Sequence, residues 1–127
     1  MAEPMPGSYL TFQLGRQYFA VESRKVRAVV ARRDANMPVV DVRARLGLPR
    51  NTNGGAAWAL VLGVHNRAVG IEADSLSEIL DVRERDIRNG VIQLRLNGRP
   101  YGRPKTLFDP DRLFSAEELD TLDDYES

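Results

Sequence analysis

The stretch that decides the fold runs from Ala57 to Val82 and has the sequence AWALVLGVHNRAVGIEADSLSEILDV. It contains the chain's one Trp and one His, and two apolar runs that flank the polar pair His65–Asn66. Two such runs around a two-residue break are typical of a β-hairpin. Asn tolerates a positive φ, and His does so more often than most residues, so this pair suits a tight primed turn. We therefore expect a central hairpin on which the rest of the chain packs.

The segments around the hairpin have the patterns of further short strands. Apolar and polar residues alternate from Tyr9 to Leu14, which predicts a strand with one buried face. The hairpin's second strand is expected to continue through Asp74 to Val82. Other short strands are predicted around Phe19 and Val21, and over residues 26–30, 38–40, 91–96 and 107–108. Six or more short strands with little helix indicate an antiparallel barrel or sandwich.

Turn and helix signals separate these strands. Asp41 is placed to cap a short helix over residues 42–46, which Gly47 would end. Asn97–Gly98 is a strong hairpin-turn dipeptide, and Pro100 and Pro104 exclude a regular central strand after it. Asp109–Pro110 predicts a helical turn. Ser115 and Glu118 form a capping box ahead of a short acidic helix.

Length and patterning together predict one compact domain over residues 9–127, preceded by a disordered arm over residues 1–8. Its core is expected to contain Leu10, Phe12, Phe19, Val21, Val40, Leu46, Leu60, Leu62, Val69, Ile71, Ile79, Leu80, Leu94, Leu107 and Leu113.

Composition excludes several functional classes. The chain has no Cys and one His, which excludes disulfides, a thiolate zinc site, a Cys nucleophile and a multi-histidine metal site within one chain. No apolar run approaches the roughly 20 residues that cross a bilayer, and no signal peptide is visible, so we expect a cytoplasmic protein without membrane insertion. A net charge of zero weighs against non-specific nucleic-acid binding.

The charges are unevenly distributed along the chain. The segment from Arg16 to Arg50 is rich in arginine, whereas the segment from Asp109 onward carries eight acidic residues and one arginine. An ordinary solvated surface explains this pattern. The alternative is that the basic front and the acidic tail pair with each other, within one chain or between copies.

Four segments, taken in order, resemble the CheW-like domains, which are the adaptor domains of bacterial chemotaxis arrays. Residues 9–26 (YLTFQLGRQYFAVESRKV) are similar to the family's opening y-L-x-F-x-L-G-x-x-x-Y-G-I. Residues 37–49 (MPVVDVRARLGLP) resemble I-P-V-I-D-L-R-x-x-L-G-L-P. Residues 69–82 resemble VGI-x-x-D-x-V-S-D/E-V/I-L, and residues 107–119 resemble the closing L-x-D-x-x-x-L-L-S-x-E-E-L.

The resemblance implies an all-β fold of two small SH3-like antiparallel barrels that share a core, with a short C-terminal helix. It implies a non-catalytic scaffold without cofactor or metal, bound to the regulatory domain of a CheA-like histidine kinase or to chemoreceptor tips. A family hairpin is missing between Val30 and Met37, so we expect a shortened first barrel with an exposed edge. Ala28, where many members carry Glu, and Pro100–Pro104 also depart from the family.

The strand that borders this deletion is the predicted protein-docking surface. Its candidate residues are Val26, Arg27, Ala28, Arg32 and Arg33, and the alternative is a solvated strand face. Trp58 has two interpretations: a lone Trp in an apolar strand is favoured as core, but an exposed one would be an interface anchor.

Three alternatives to a kinase adaptor remain. An open edge could pair with a second copy to give a homodimer, and a divergent member could self-assemble or serve another kinase pathway. An enzyme would have to use Asp41, His65, Glu72 or Asp74, but no nucleophile–base pair is visible. A nucleic-acid site would use the arginines between Arg32 and Arg50, which lack neighbouring aromatic residues.

Overall fold

The structure, a computed structural model, describes residues 6–49 and 56–126. Its strands are β1 (Gly7–Leu14), β2 (Gln17–Glu22), β3 (Val26–Ala31), β4 (Val39–Val40), β5 (Trp58–Val64), β6 (Arg67–Ala73), β7 (Ser75–Val82), β8 (Ile87–Arg88), β9 (Val91–Ile92), β10 (Arg95–Leu96), β11 (Arg99–Pro100) and β12 (Lys105–Leu107). Two helices, α1 (Pro110–Leu113) and α2 (Ala116–Glu126), follow, and 3-10 turns span Ser23–Lys25, Arg32–Asp34, Ala44–Leu46 and Glu84–Asp86.

The predicted all-β class with a short C-terminal helix is confirmed. β1 begins at Gly7, so Gly7 and Ser8 belong to a strand and not to the predicted arm, whose residues 1–5 lie outside the described part. No helix in the described ranges has the length and apolarity to span a bilayer.

The strands form three sheets. A six-stranded sheet has the order β7-β1-β2-β12-β9-β8, and a four-stranded sheet has the order β3-β5-β6-β4. β10 and β11 form a separate two-stranded hairpin. The pairs are antiparallel except that β12 lies parallel to β2 and β4 lies parallel to β6. β3 and β4 are therefore the two outer strands of the four-stranded sheet.

Two hydrophobic cores lie on opposite faces of β1 and β2. Phe12 and Phe19 belong to the larger core, where their rings stack at 5.7 Å between centroids. Tyr9 and Ala20 belong to the second core, together with Leu80 and other apolar residues. Because alternate side chains of a strand point to opposite faces, one strand pair serves both cores. This arrangement is the physical form of the shared core that the family resemblance implied.

The prediction that β1 has only one buried face is wrong. Tyr9 is 2% exposed and Thr11 is fully buried. The Thr11 hydroxyl donates to the Glu78 carbonyl at 2.7 Å and accepts from the Glu78 N–H at 3.0 Å. These bonds fall where the β1–β7 register shifts, so Thr11 satisfies backbone groups that a bulge removes from the ladder.

The central hairpin is confirmed, but its second strand is shorter than predicted. His65 and Asn66 have φ values of 48° and 65°, as a primed turn requires. At Asp74 the chain leaves β6 and enters β7, which pairs with β1 in the other sheet. The Asp74 N–H donates to the Gln13 carbonyl at 2.9 Å, which fixes this crossing point.

Most of the predicted core is buried. Phe12, Phe19, Val21, Leu60, Leu62, Val69, Ile71 and Leu80 are buried, and Leu10, Val40, Leu46, Leu94, Leu107 and Leu113 pack half-buried against one of the two cores. The prediction for Ile79 is wrong, since that side chain is 67% exposed. Ile79 points to the face opposite Leu80. Because β7 is the outer strand of its sheet, that face is not covered at Ile79.

The local signals have mixed outcomes. The Asp41 carboxylate accepts from the Arg43 N–H at 3.0 Å, but the turn that ends at Gly47 is a 3-10 turn and not the expected longer helix. Ser115 and Glu118 form the predicted capping box. Asn97 has the expected positive φ of 53°.

The predicted strand over residues 91–96 is divided into β9 and β10. At the division, the Gln93 side chain donates to the carbonyls of Leu94 and Tyr101, both at 3.0 Å. These bonds hold the base of the β10–β11 hairpin.

Candidate protein-docking site

The outer edge of β3 has no strand partner among the described residues. β3 pairs with β5 in antiparallel register, with Val30 opposite Ala59 and Ala31 opposite Trp58. The Arg32 N–H donates to the Ala57 carbonyl at 2.9 Å. Because successive residues of an antiparallel strand direct their backbone groups to alternate sides, those of Ala31 and Val29 point away from β5.

Two large apolar side chains are exposed beside this edge. Trp58 is 37% exposed and Val29 is 39% exposed. Trp58 shares a face of β5 with the buried Leu60 and Leu62, and Val29 lies directly opposite Leu60. Both side chains therefore lie on the face of the sheet that carries the larger core, but they are at its margin and are only partly buried. The core interpretation of Trp58 is wrong, since 37% of this side chain is exposed.

Three arginines belong to β3 and the turn after it, and two of them, Arg32 and Arg33, lie at the end of its open edge. Arg27 lies at the β3 bulge, and its guanidinium crosses β5 so closely that a Cβ placed on Gly63 would be 2.9 Å from its Nε. Arg33 is exposed and Arg32 is half-buried, in the turn that follows β3. None of the three forms an ion pair with another residue of the described ranges.

The structure thus brings together the residues predicted for docking. Val26 is half-buried and packs against the larger core, which leaves it a supporting position. Ala28 is exposed and lies opposite Val61, between the bulge and Val29. The sequence analysis missed Val29, although the alternation of β3 places it on the face of Trp58.

Other basic residues are already paired with the acidic tail. Arg45 of the basic segment forms an ion pair with Glu118, and Arg67, which lies outside that segment, forms one with Asp120. Lys25 lies 3.1 Å from Asp111. The two charged regions therefore pair within one chain, one of the two arrangements that the sequence left open.

These ion pairs shift the pKa values of several of the residues that form them. Burial lowers the pKa of Lys25, but the hydrogen bond and charge of Asp111 and the nearby carboxylates outweigh it and leave that pKa raised. Burial raises the pKa of Asp111, but hydrogen bonds from Lys25 and from the His65 N–H leave it below its ordinary value. The hydrogen bond from Arg45, with that from the Ser115 N–H, lowers the pKa of Glu118 to about 2.

Three of the four residues considered for catalysis, all except Glu72, have structural contacts. Asp74 pairs with Arg43 and accepts from the Gly15 N–H at 2.6 Å. His65 Nε2 lies 2.8 Å from the Phe114 carbonyl, so the ring fastens the helical segment to the hairpin turn. Asp41 caps its turn, as described above. Within the described ranges, no cluster of His, Asp or Glu is placed to hold a metal ion.

The sequence analysis predicted the turn at Asn97–Gly98 but missed the exposure of the hairpin around it. Residues 95–104 are all exposed, and they include Leu96 at 64% and Tyr101 at 51% exposure. Arg103 lies over the Tyr18 ring at 5.2 Å. Alternating apolar and arginine residues at 94–103 are the signal that could have identified this exposed hairpin.

Comparison with known proteins assigns the family. The family model described as the CheW-like domain matches residues 24–118. Among solved structures, the chain is similar to the crystal structure of scaffolding protein TtCheW from Thermoanaerobacter tengcongensis, with a TM-score of 0.66 and 14% sequence identity. That match covers 90% of this chain and 96% of the other. No curated protein matches the chain.

The chain therefore belongs to the CheW-like domain family, a class of adaptor domains. Between β3 and β4 the structure has only the 3-10 turn Arg32–Asp34 and extended residues, all of them described. The family hairpin that the sequence lacks is accordingly absent at this position. Beside this turn, the outer edge of β3 has no strand partner among the described residues, and Trp58 is 37% exposed.

Proposed function

We propose that this chain is a non-catalytic, cytoplasmic adaptor of chemotaxis-type signal transduction that binds the regulatory domain of a CheA-like histidine kinase. The proposal is supported by membership of the CheW-like family and by one observation in particular. That observation is the open β3 edge, where Trp58 and Val29 are exposed beside unpaired arginines. Interface hot spots are enriched in Trp and Arg.

A chemoreceptor tip is the second partner we propose, and the weaker one. In the family, the missing hairpin contributes to the surface that faces receptors and kinase. A partner that binds this chain must therefore contact β3 and Trp58 directly. Self-association, or service to a kinase outside chemotaxis, is the alternative function.

The test is a binding measurement with the CheA-type regulatory domains and chemoreceptor tips encoded beside this chain. Trp58→Ser should weaken kinase binding by at least about tenfold, because truncation of a hot-spot side chain costs about 2 kcal/mol or more. Leu96→Ser is the matched control, since it removes an exposed apolar side chain of the protruding hairpin. Arg33→Glu should weaken binding. Arg85→Glu, an equal charge change in the turn Glu84–Asp86, should not.

Two outcomes would count against the proposal. Absence of binding to every such kinase and receptor would contradict the adaptor function. Equal losses from Trp58→Ser and Leu96→Ser, with both variants folded, would contradict the placement of the site at β3.

A further inference from the structure

We propose that the open edge of β3 receives an extended, acidic segment of the partner as an added β-strand. The proposal rests on the adaptor function above and specifies the chemistry of its docking site. The added segment has apolar side chains on the face toward Trp58 and Val29, and carboxylates beside Arg32 and Arg33.

The backbone of β3 is prepared for an added strand. The Arg32 bond to Ala57 sets the alternation, so the N–H and C=O groups of Val29 and Ala31 point outward. A row of such groups is a template for pairing with another chain, and main-chain bonds supply affinity in strand addition. At the other end, the bulge at Arg27 interrupts the register. The usable edge therefore runs from Ala28 to Arg32.

The side chains beside this edge select an apolar residue at alternate positions. Val29 and Trp58 lie on the same face of the sheet. Trp58 is opposite Ala31, two residues along β3 from Val29. A strand added outside β3 would direct every second side chain to that face. An apolar side chain opposite Val29 would cover both exposed groups, which are 39% and 37% exposed.

The charges decide between possible occupants. Arg32 and Arg33 lie in the turn after β3, whose one acidic residue is Asp34. If a second copy paired its own β3 here, the arginines of both copies would lie close together along one short interface. Like charges within a Debye length of about 8 Å repel, which opposes the homodimer. An acidic segment meets complementary charge and is steered toward the edge.

The test uses the intact chain and a Trp-free synthetic peptide of alternating valine and glutamate. Because Trp58 is the chain's one Trp, its fluorescence reports occupation of the edge. We expect saturable binding that weakens with salt, and no binding of the matched valine–lysine peptide. Arg33→Glu should weaken binding by about tenfold, as expected for one charge-assisted contact.

Proline substitution tests the backbone geometry. Val29→Pro removes an outward N–H and leaves the β3–β5 ladder intact, so the protein should fold and lose peptide binding. Val30→Pro removes an inward N–H that faces Ala59 and should destabilise the fold. If Val29→Pro does not fold, a peptide N-methylated at alternate residues tests the same bonds from the other side.

Each result has one consequence. Unchanged peptide binding by Val29→Pro, or binding of the lysine peptide, would overturn the acidic-strand proposal. A salt-resistant dimer of the free chain that Val29→Pro dissociates would give the edge to a second copy and also overturn it. Kinase binding that Val29→Pro leaves unchanged would overturn strand addition while the adaptor function stands. Peptide binding without kinase binding would support strand addition at this edge and contradict the adaptor function.

Discussion

Arg43 and Asp74 form an ion pair at the point where the chain passes from one sheet to the other. The Arg43 guanidinium is 3% exposed, and its Nη2 donates to Asp74 Oδ1. The same carboxylate accepts from the Gly15 N–H at 2.6 Å. Arg43 Nη1 has no hydrogen-bond partner and lies 3.6 Å from an Asp41 oxygen. One carboxylate thus joins the turn after β4 to the β1–β2 turn.

We predict that Asp74→Ala lowers the free energy of unfolding by about 2–3 kcal/mol, because it leaves the Arg43 charge buried without its main partner. This is below the ~3–5 kcal/mol for fully buried pairs, since Asp74 is partly exposed and Asp41 remains nearby. Urea denaturation measures the change. The double variant Arg43→Met, Asp74→Ala should recover part of the loss, because the two residues are coupled. Purely additive losses would contradict this account.

A second prediction concerns acid stability. The pKa of Glu118 is about 2 in the folded chain, well below its ordinary 4.5, because Arg45 and the Ser115 N–H bind the ionised form. A depressed pKa stabilises the fold above pH 4.5, and that contribution is lost as pH falls toward 2. Asp111, whose pKa is also lowered, acts in the same direction. Stability should therefore decline through this window.

Thermal melts at several pH values check this prediction, with Glu118→Gln as the test variant. The wild type should lose its advantage over that variant between pH 4.5 and 2. Glu117→Gln is the matched control, because it removes a charge one residue away that forms no ion pair in the described ranges. If both variants show the same pH dependence, the Arg45–Glu118 contact does not carry the effect.

Local signals allowed much of the fold to be predicted. The turn at His65–Asn66 and the capping box of Ser115 and Glu118 depend on neighbours within a few residues, and both are confirmed. The order and number of the family motifs added the two-barrel arrangement. A short apolar run with a polar break contains enough information to specify a hairpin.

Features that depend on distant segments could not be predicted in this way. Trp58 is 37% exposed, although its own neighbours along the chain are apolar. Thr11 is buried because a bulge forms with Glu78, 67 residues later. Arg45 pairs with Glu118, 73 residues away. No pattern within either segment predicts its partner in the other. Exposure and charge pairing are properties of the assembled sheets.

A third prediction compares two glycines on the outer face of the four-stranded sheet. A Cβ at Gly70 would be 3.1 Å from the Pro38 carbonyl and 3.2 Å from Val39 Cγ2, so β4 would have to shift. Gly70→Ala should therefore cost about 1–3 kcal/mol, the usual range for overpacking.

Gly63→Ala meets only the flexible end of Arg27, so its cost should lie within about 0.5 kcal/mol. It should displace the Arg27 guanidinium without a shift of the backbone. Chemical denaturation measures the stability of both variants. A larger loss of stability from Gly63→Ala than from Gly70→Ala would contradict the difference between side-chain and backbone obstruction.

The last prediction concerns His65, which fastens the helical segment to the central hairpin. Its Nε2 lies 2.8 Å from the Phe114 carbonyl and 3.1 Å from the Asp111 carbonyl. Carbonyl oxygens only accept, so the ring proton lies on Nε2. His65→Asn keeps a residue that tolerates φ > 0 but cannot make this contact, and should cost about 1 kcal/mol. Asn66→Gly is the control, because it keeps the turn and leaves the His65 contacts in place. Equal unfolding free energies for His65→Asn and the wild type would show that the ring does not hold the helices.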